Sequence, residues 1–322
     1  MDVLTEALAS MRTDRPVSVR TNGRAPWGLR LPPGDGAGFH VVLHGHCWLI
    51  PSRGAAPAAP VHLETGDVVF LRSGPELVLA DEPGTPATPA GAEYFQDDGL
   101  TGVFGIGGGG ALTSVLCGSY RLDQERPHPL VGRLPELIHL HTGNGRHPQL
   151  TSAVELLRAE LDDLRIGASG IVPALIDSLL IYILRAWMDD APAGRVGWAA
   201  ALKDPAIAPA LAAMHADPAD AWTVESLAAR AGLSRAAFAK KFNTMVGEPP
   251  LTYLTRWRMT TAARLLRESD APLAAIAAKT GYGSEFAFAK AFKREYGQAP
   301  GGFRRRRPAR AAAGSGAAPA AA

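Results

Sequence analysis

With 322 residues, 47% of them hydrophobic, the chain can fold as two or three domains that each bury a core. Its net charge of +2 conceals a division: residues 203–310 carry 18 basic against 9 acidic side chains, +9, and hold every lysine, while the remainder carries 15 arginines against 22 acids, −7. That split is the footprint of nucleic-acid binding in one domain only, and two cysteines, Cys47 and Cys117, exclude a disulfide framework.

The first segment, Met1–Asp14, is short and amphipathic, with Asp2, Glu6 and Asp14, unlike a signal peptide. Residues 16 to about 122 are rich in Gly and Pro, and short apolar runs predict strands at Gly38–Ile50, Val61–Leu71, Leu77–Ala80, Thr101–Ile106 and Leu112–Leu122. Many short strands without helical periodicity point to a small β-barrel or sandwich. The run Gly105-Ile106-Gly107-Gly108-Gly109-Gly110 matches a dinucleotide pattern in letters only, because no helix follows it, and a flexible hairpin loop is expected there.

From about residue 130 the period becomes helical. Leu150, Val154, Leu157, Leu161 and Leu164 form one apolar stripe, and Ile171–Met188 is apolar nearly all round. Pro173, Asp177, Ser178 and Arg185 interrupt the latter, which therefore reads as a buried helix rather than a membrane span. The chain is expected to be cytoplasmic. Both helices need a partner surface, either the β domain or a second subunit in a homodimer. Gly194–Trp198 reads as a linker, and the Ala/Gly/Pro/Ser tail after Arg310 as disordered.

Between Ala221 and Phe303 the sequence repeats at a spacing of about fifty residues. Ser234-Arg235-Ala236-Ala237-Phe238-Ala239-Lys240-Lys241-Phe242 is echoed by Ser284-Glu285-Phe286-Ala287-Phe288-Ala289-Lys290-Ala291-Phe292. In the first copy Thr223 caps a helix over Val224–Ala231, Gly232 makes the turn, and Ser234 caps a second helix running to about Val246. Phe238, Phe242 and Met245 should face its core, which turns Arg235, Ala236, Ala239, Lys240 and Asn243 outward toward DNA. The second copy runs through Leu273–Thr280 and Gly281-Tyr282-Gly283 to a helix Glu285–Tyr296. Its outward face is Glu285, Phe286, Ala289, Lys290 and Lys293. A long helix over Leu251–Glu268 should set the spacing of the two copies.

The stretch from about Pro205 to Arg307 resembles the AraC/XylS family of transcription regulators. The resemblance rests on Thr223-Val224-Glu225-Ser226-Leu227-Ala228, Gly247-Glu248-Pro249-Pro250, Gly281-Tyr282-Gly283-Ser284-Glu285 and Ala299-Pro300-Gly301-Gly302-Phe303-Arg304. It implies a unit with two helix-turn-helix motifs reading adjacent major-groove segments of a double-stranded promoter or operator. Base contacts would fall to Arg235, Ala236, Ala239 and Lys240 and to Glu285, Phe286, Ala289 and Lys290. Alanine can touch only a thymine methyl, so Lys240 and Arg235 would carry direct readout in the first copy, helped by DNA shape. Ser234, Ser284, Arg256, Arg258 and Arg304–Arg307 are expected at phosphates.

Upstream, Val42-Leu43-His44-Gly45-His46 and Leu63-Glu64-Thr65-Gly66-Asp67-Val68-Val69-Phe70-Leu71 resemble the cupin barrel, in the form fused to AraC-type regulators as a sensor. The expected architecture is α+β and multidomain. A cupin-like β-barrel spans 1–130, a helical linker and dimerisation region 131–202, an all-α DNA-binding domain 203–307, and a tail 308–322. Gly38-x5-His44-x-His46 has the letters of the first cupin metal motif, but both histidines fall at the turn and Leu77 stands where the second motif has its histidine. No metal, no cofactor and no catalytic residue are therefore expected. His40, Trp48, Cys47 and Cys117 are the candidate contacts for a small-molecule effector or redox signal. The family resemblance favours an activator, which would contact RNA polymerase.

Overall fold

The computed structural model describes residues 3–11, 16–34, 36–52, 59–91, 94, 102–121, 134–143, 145–190 and 197–305. These divide into two compact units: the residues up to Asp204 together with Thr244–Gly247, and the remainder from Pro205 onward. Most of the linker Gly194–Trp198, the arginines Arg306 and Arg307, and the tail 308–322 lie outside the described residues.

The first unit opens with α1 (Val3–Met11) and contains eleven described strands in two sheets. One sheet has the order β11-β6-β3-β10-β1-β9, using β1 (Val17–Arg24), β3 (Ala37–His44), β6 (Val68–Leu71), β9 (Gly102–Gly107), β10 (Leu112–Tyr120) and β11 (Leu137–Leu140). The other has the order β5-β4-β7-β2-β8, using β2 (Gly28–Leu31), β4 (His46–Pro51), β5 (Val61–Glu64), β7 (Leu77–Ala80) and β8 (Thr88–Pro89). Val19, Val42, Val69 and Val115 of the first sheet pack against Leu29, Leu49, Leu63 and Leu79 of the second. The expected barrel is thus a cupin sandwich of two facing sheets, and among the described residues it does not close hydrogen bond by hydrogen bond.

Two predicted strands are each broken by a glycine in the left-handed region. Gly45 (φ +73) separates β3 from β4, and Gly66 (φ +91) separates β5 from β6. The glycine run does not form a hairpin. Strands β9 and β10 flank β1 on opposite sides, parallel and antiparallel respectively, and the loop between them bonds across the β1–β2 corner. Gly108 N donates to Arg24 O (2.8 Å) and Gly110 N to Ala25 O (2.9 Å). A Cβ on Gly107 would lie 2.1 Å from Arg24 O, so close backbone approach explains that glycine.

Segment 131–202 is not helical throughout, because β11 pairs with β6 and completes the six-stranded sheet. After it come α2 (Pro148–Asp162), α3 (Ala168–Asp190) and α4 (Trp198–Lys203). Helices α2 and α3 cover the outer face of that sheet: Arg20 donates to Leu161 O (2.5 Å) and pairs with Asp162 (2.6 Å), and Tyr120 Oη donates to Ile176 O (2.6 Å). This cover is why Phe39, Val41 and Leu43 are buried as completely as Val42 on the opposite face of β3. Leu150, Val154, Leu157 and Leu161 are buried as expected, whereas Leu164 lies beyond the end of α2 and is exposed. Helix α3 is the one described helix long and apolar enough to cross a membrane, and its Val172, Ile176, Leu179, Leu180 and Ile183 are buried within the fold.

The second unit is all-helical: α5 (Ile207–Ala216), α6 (Val224–Arg230), α7 (Arg235–Val246), α8 (Pro250–Glu268), α9 (Leu273–Lys279), α10 (Glu285–Tyr296) and α11 (Pro300–Arg305). Helix α8 is the shared spine. Its first half holds the first motif through Trp257 stacked on His215 (3.8 Å between centroids) and Tyr253 against Phe242 (5.8 Å). Its second half packs Met259, Ala262, Ala263 and Leu266 against Ile276, Phe288, Phe292 and Tyr296 of the second motif.

Candidate nucleic-acid interface and sensor cavity

The two motifs repeat in structure what they repeat in sequence. Thr223 caps α6 through a reciprocal pair, Ser226 N to Thr223 Oγ1 and Thr223 N to Ser226 Oγ, both 3.0 Å. Gly232 (φ +65) and Gly281 (φ +76) make the two turns. Ser234 Oγ then accepts from Ala237 N (3.3 Å), and Ser284 Oγ from Ala287 N (3.2 Å), at the starts of α7 and α10. Each capping hydroxyl still has its own proton to donate, and it sits beside free backbone N–H groups suited to a phosphate.

Phe238 and Phe242 are buried in α7, as are Phe288 and Phe292 in α10. Met245, expected to face the core, is only half-buried, whereas its neighbour Val246 is buried. With those anchors fixed, Arg235, Ala236, Lys240 and Asn243 are exposed and Ala239 half-buried. Glu285, Phe286, Lys290 and Lys293 are likewise exposed and Ala289 half-buried. The structure therefore brings all ten sequence-predicted readers onto two equivalent helix faces. Phe286 is 81% exposed at the start of α10, a position that contributes nothing to the core and that suits apolar contact with a base edge. Arg235 meets Glu225 (2.7 Å) across the first motif, an exposed pair of little energetic weight.

The expected phosphate arginines are placed differently. Arg256 is paired with the half-buried Glu248. Arg258 Nε donates to Pro218 O (2.7 Å) and its Nη2 to Asp220 O (2.9 Å), and burial lowers its pKa. Arg304 Nη2 donates to Ala271 O (2.5 Å). All three guanidiniums tie loops to helices inside the unit, a role that spacing along the chain could not reveal.

In the first unit a half-open cavity of about 140 Å³ lies between the sheets, lined by Val19, Leu31, His40, Leu71, Leu77, Tyr94 and Cys117 among others. His40 and Cys117 are opposite each other on β3 and β10. Burial lowers the His40 pKa to about 4, so the ring is neutral, and its Nδ1 has no hydrogen-bond partner among the described residues. Tyr94 Oη lies 3.0 Å from Thr21 Oγ1; neither residue stood out in the sequence, because neither belongs to a motif there. Cys47 does not line the cavity and sits on the opposite sheet from Cys117, so their strands are not paired neighbours. Burial raises both thiols, Cys117 to about 11, which leaves them protonated and poorly nucleophilic. Trp48 does not line the cavity and packs against His62 with the rings tilted (4.8 Å between centroids). His44 bonds Asp162 (2.9 Å) and His46 is exposed, so the two do not converge on an ion. Among the described residues, the one group of side chains close enough to share a metal is Asp67, His139 and His141.

Comparison with known proteins agrees with this division. The profile of the cupin family matches residues 2–189, and that of a helix-turn-helix domain matches residues 227–306. An AraC-like transcription regulator of Streptomyces lividans is 33% identical over 306 residues, 95% of this chain and 98% of that one. The HTH-type transcriptional regulator AlkR of Acinetobacter baylyi is 30% identical over 319 residues, 94% of this chain and 99% of that one. The crystal structure of the AdpA DNA-binding domain in complex with a target DNA matches at 33% identity over 32% of this chain and 91% of that one, with a TM-score of 0.30. The chain belongs to the AraC-like transcription regulators, with an N-terminal cupin domain and a C-terminal helix-turn-helix domain that binds DNA.

Proposed function

We propose that this regulator reads a two-block promoter site through α7 and α10 and adjusts that binding to a small apolar effector held between its β-sheets. The observation that carries the DNA half is the equivalence of the two motifs, with the same caps, the same buried phenylalanines and the same outward positions. Lys240 and Lys290 are the strongest candidates for guanine contact, while Ala236 and Phe286 suit thymine methyls. Ser234, Ser284 and the helix N-termini they cap anchor the phosphates.

The cavity supports a reading of the effector's chemistry. Its volume of about 140 Å³ is close to the roughly 150 Å³ that holds a benzene-sized molecule. Its walls are mainly aliphatic, and neutral His40 offers one hydrogen-bonding atom. An uncharged, six- to eight-carbon molecule with one polar group fits these features. A second copy of the chain is the proposed partner of α2 and α3, where Leu156 (55%), Ile171 (44%) and, in the turn between them, Leu164 and Ile166 are exposed. The regulator acts in the cytoplasm, as an activator in contact with RNA polymerase, and without enzymatic activity. Selection of bound sequences from a random DNA pool, using the full chain at fixed salt, tests the central claim. Two enriched blocks about one helical turn (~10 base pairs) apart support it; a single block, or none, refutes paired reading.

A further inference from the structure

Strand β11 carries His139, and His141 follows directly beyond its end at Leu140. The antiparallel register pairs His139 with Val69 and Leu140 with Val68, and Asp67 and His141 are the residues next to the last pair. His139 Nε2 lies 3.0 Å from Asp67 Oδ2, His141 Nδ1 lies 3.0 Å from Asp67 Oδ1, and the two rings are 4.2 Å apart between centroids. Three potential donor atoms therefore lie within 4.8 Å of one another. We propose that Asp67, His139 and His141 form a binding site for a first-row divalent transition-metal ion, Zn²⁺ above all.

The donor set suits that class: two imidazoles and one carboxylate do not match the oxygen-only preference of Mg²⁺ and Ca²⁺. Bonds of about 2.0–2.1 Å in a tetrahedron set ligand atoms about 3.3 Å apart, close to the two 3.0 Å His–Asp separations, and the three donor atoms already lie within 4.8 Å of one another. The carboxylate is already held in position. Asp67 is 4% exposed, its Oδ2 accepts from Glu64 N (3.1 Å), and its own backbone N–H donates to Glu64 O (2.9 Å). His141 is 59% exposed, so the site opens to solvent and leaves a fourth position for water.

The site is distinct from the cupin-motif histidines His44 and His46, which face other partners. Its position also links it to the helical cover. Thr142 Oγ1 donates to Gly66 O (2.7 Å), and Thr151 Oγ1 in α2 donates to Thr142 O (3.1 Å). An ion would clamp the β5–β6 turn to the strand that leads into α2 and α3.

The test is titration of the untagged, chelator-treated full chain with Co²⁺ and then Zn²⁺, read by visible Co²⁺ absorption and by calorimetry. One Co²⁺ per chain, displaced by Zn²⁺, is expected. His141→Asn changes an exposed side chain and spares folding; it should weaken binding at least by the roughly 10–100-fold that even a second-shell partner contributes. His62→Asn, on the far sheet, should leave binding unchanged. Zn²⁺ should also slow hydrogen exchange across residues 137–143. No stoichiometric uptake, equal affinity in His141→Asn, or equal loss in His62→Asn would overturn the assignment and leave the three side chains as a hydrogen-bonded clamp.

Discussion

The two turn glycines offer a matched pair in which the backbone term cancels. Gly232 and Gly281 have nearly the same φ, +65 and +76, but a Cβ on Gly232 would meet open space. On Gly281 it would lie 2.8 Å from the Arg258 guanidinium and 3.0 Å from Ala219 O. Alanine in the left-handed region costs about 1–2 kcal/mol, offset by about 0.4–1 kcal/mol from the stiffer unfolded chain. Gly232→Ala should therefore destabilise the unit by about 1 kcal/mol. Gly281→Ala adds displacement of Arg258 from the carbonyls of Pro218 and Asp220. Each charge-assisted bond is worth about 1.5–3 kcal/mol when fully made, and a half-buried group retains part of that, so the extra loss is about 2–3 kcal/mol. Hydrogen exchange of amides in α6–α10 along a urea series, on the full chain, reads the second unit separately from the first. A double-mutant cycle completes the argument: in an Arg258→Ala background, Gly281→Ala should fall back to about 1 kcal/mol. Equal costs at the two glycines, or an undiminished cost without Arg258, would refute the account of Arg258 as the clamp between the turns.

Other consequences follow from the same geometry. Lys240→Ala and Lys290→Ala should each weaken specific DNA binding by about 1–3 kcal/mol and leave random-sequence binding much less affected; equal losses on both DNAs in a salt-controlled binding assay would make them phosphate contacts. His40 is neutral when folded, with its pKa lowered from 6.5 to about 4. The unfolded state therefore binds more protons in that window, and stability should fall as pH drops from about 6.5 toward 4 and then level off. His40→Met should flatten that stretch of the pH–stability curve and alter effector response while sparing DNA affinity; an unchanged curve would show that the ring is not buried neutral. Leu156→Glu with Ile171→Glu should shift the full chain from dimer to monomer in sedimentation velocity, and an unaltered mass would place the subunit contact elsewhere. Replacing Cys47 and Cys117 by serine should leave DNA binding unresponsive to peroxide, as in the parent chain, because both thiols are buried and protonated.

Much of the second unit was legible in the sequence because its information is local. Caps, turn glycines and phenylalanines four residues apart dictate which face of each recognition helix is buried, so the outward face follows by subtraction. The local rule failed at Met245, which is only half-buried while Val246 is buried. The arginines show the limit more sharply. Arg256, Arg258 and Arg304 look like phosphate ligands in a basic stretch, and only packing shows that Glu248 and the carbonyls of Pro218, Asp220 and Ala271 engage them.

In the first unit the sequence by itself determined that short strands separated by glycine and proline turns build a cupin-type β domain, because a period of two and turn chemistry are encoded within a few residues. Which strands neighbour one another was decided only by the tertiary structure. Sheet register joins residues tens of positions apart, and no spacing rule predicts that β9 and β10 flank β1, that Cys47 and Cys117 lie on opposite sheets, or that Tyr94 and His40 share a cavity. Asp67 and His139 are separated by 72 residues and meet because β11 pairs with β6. A site made by strand pairing exists only once the sheet does.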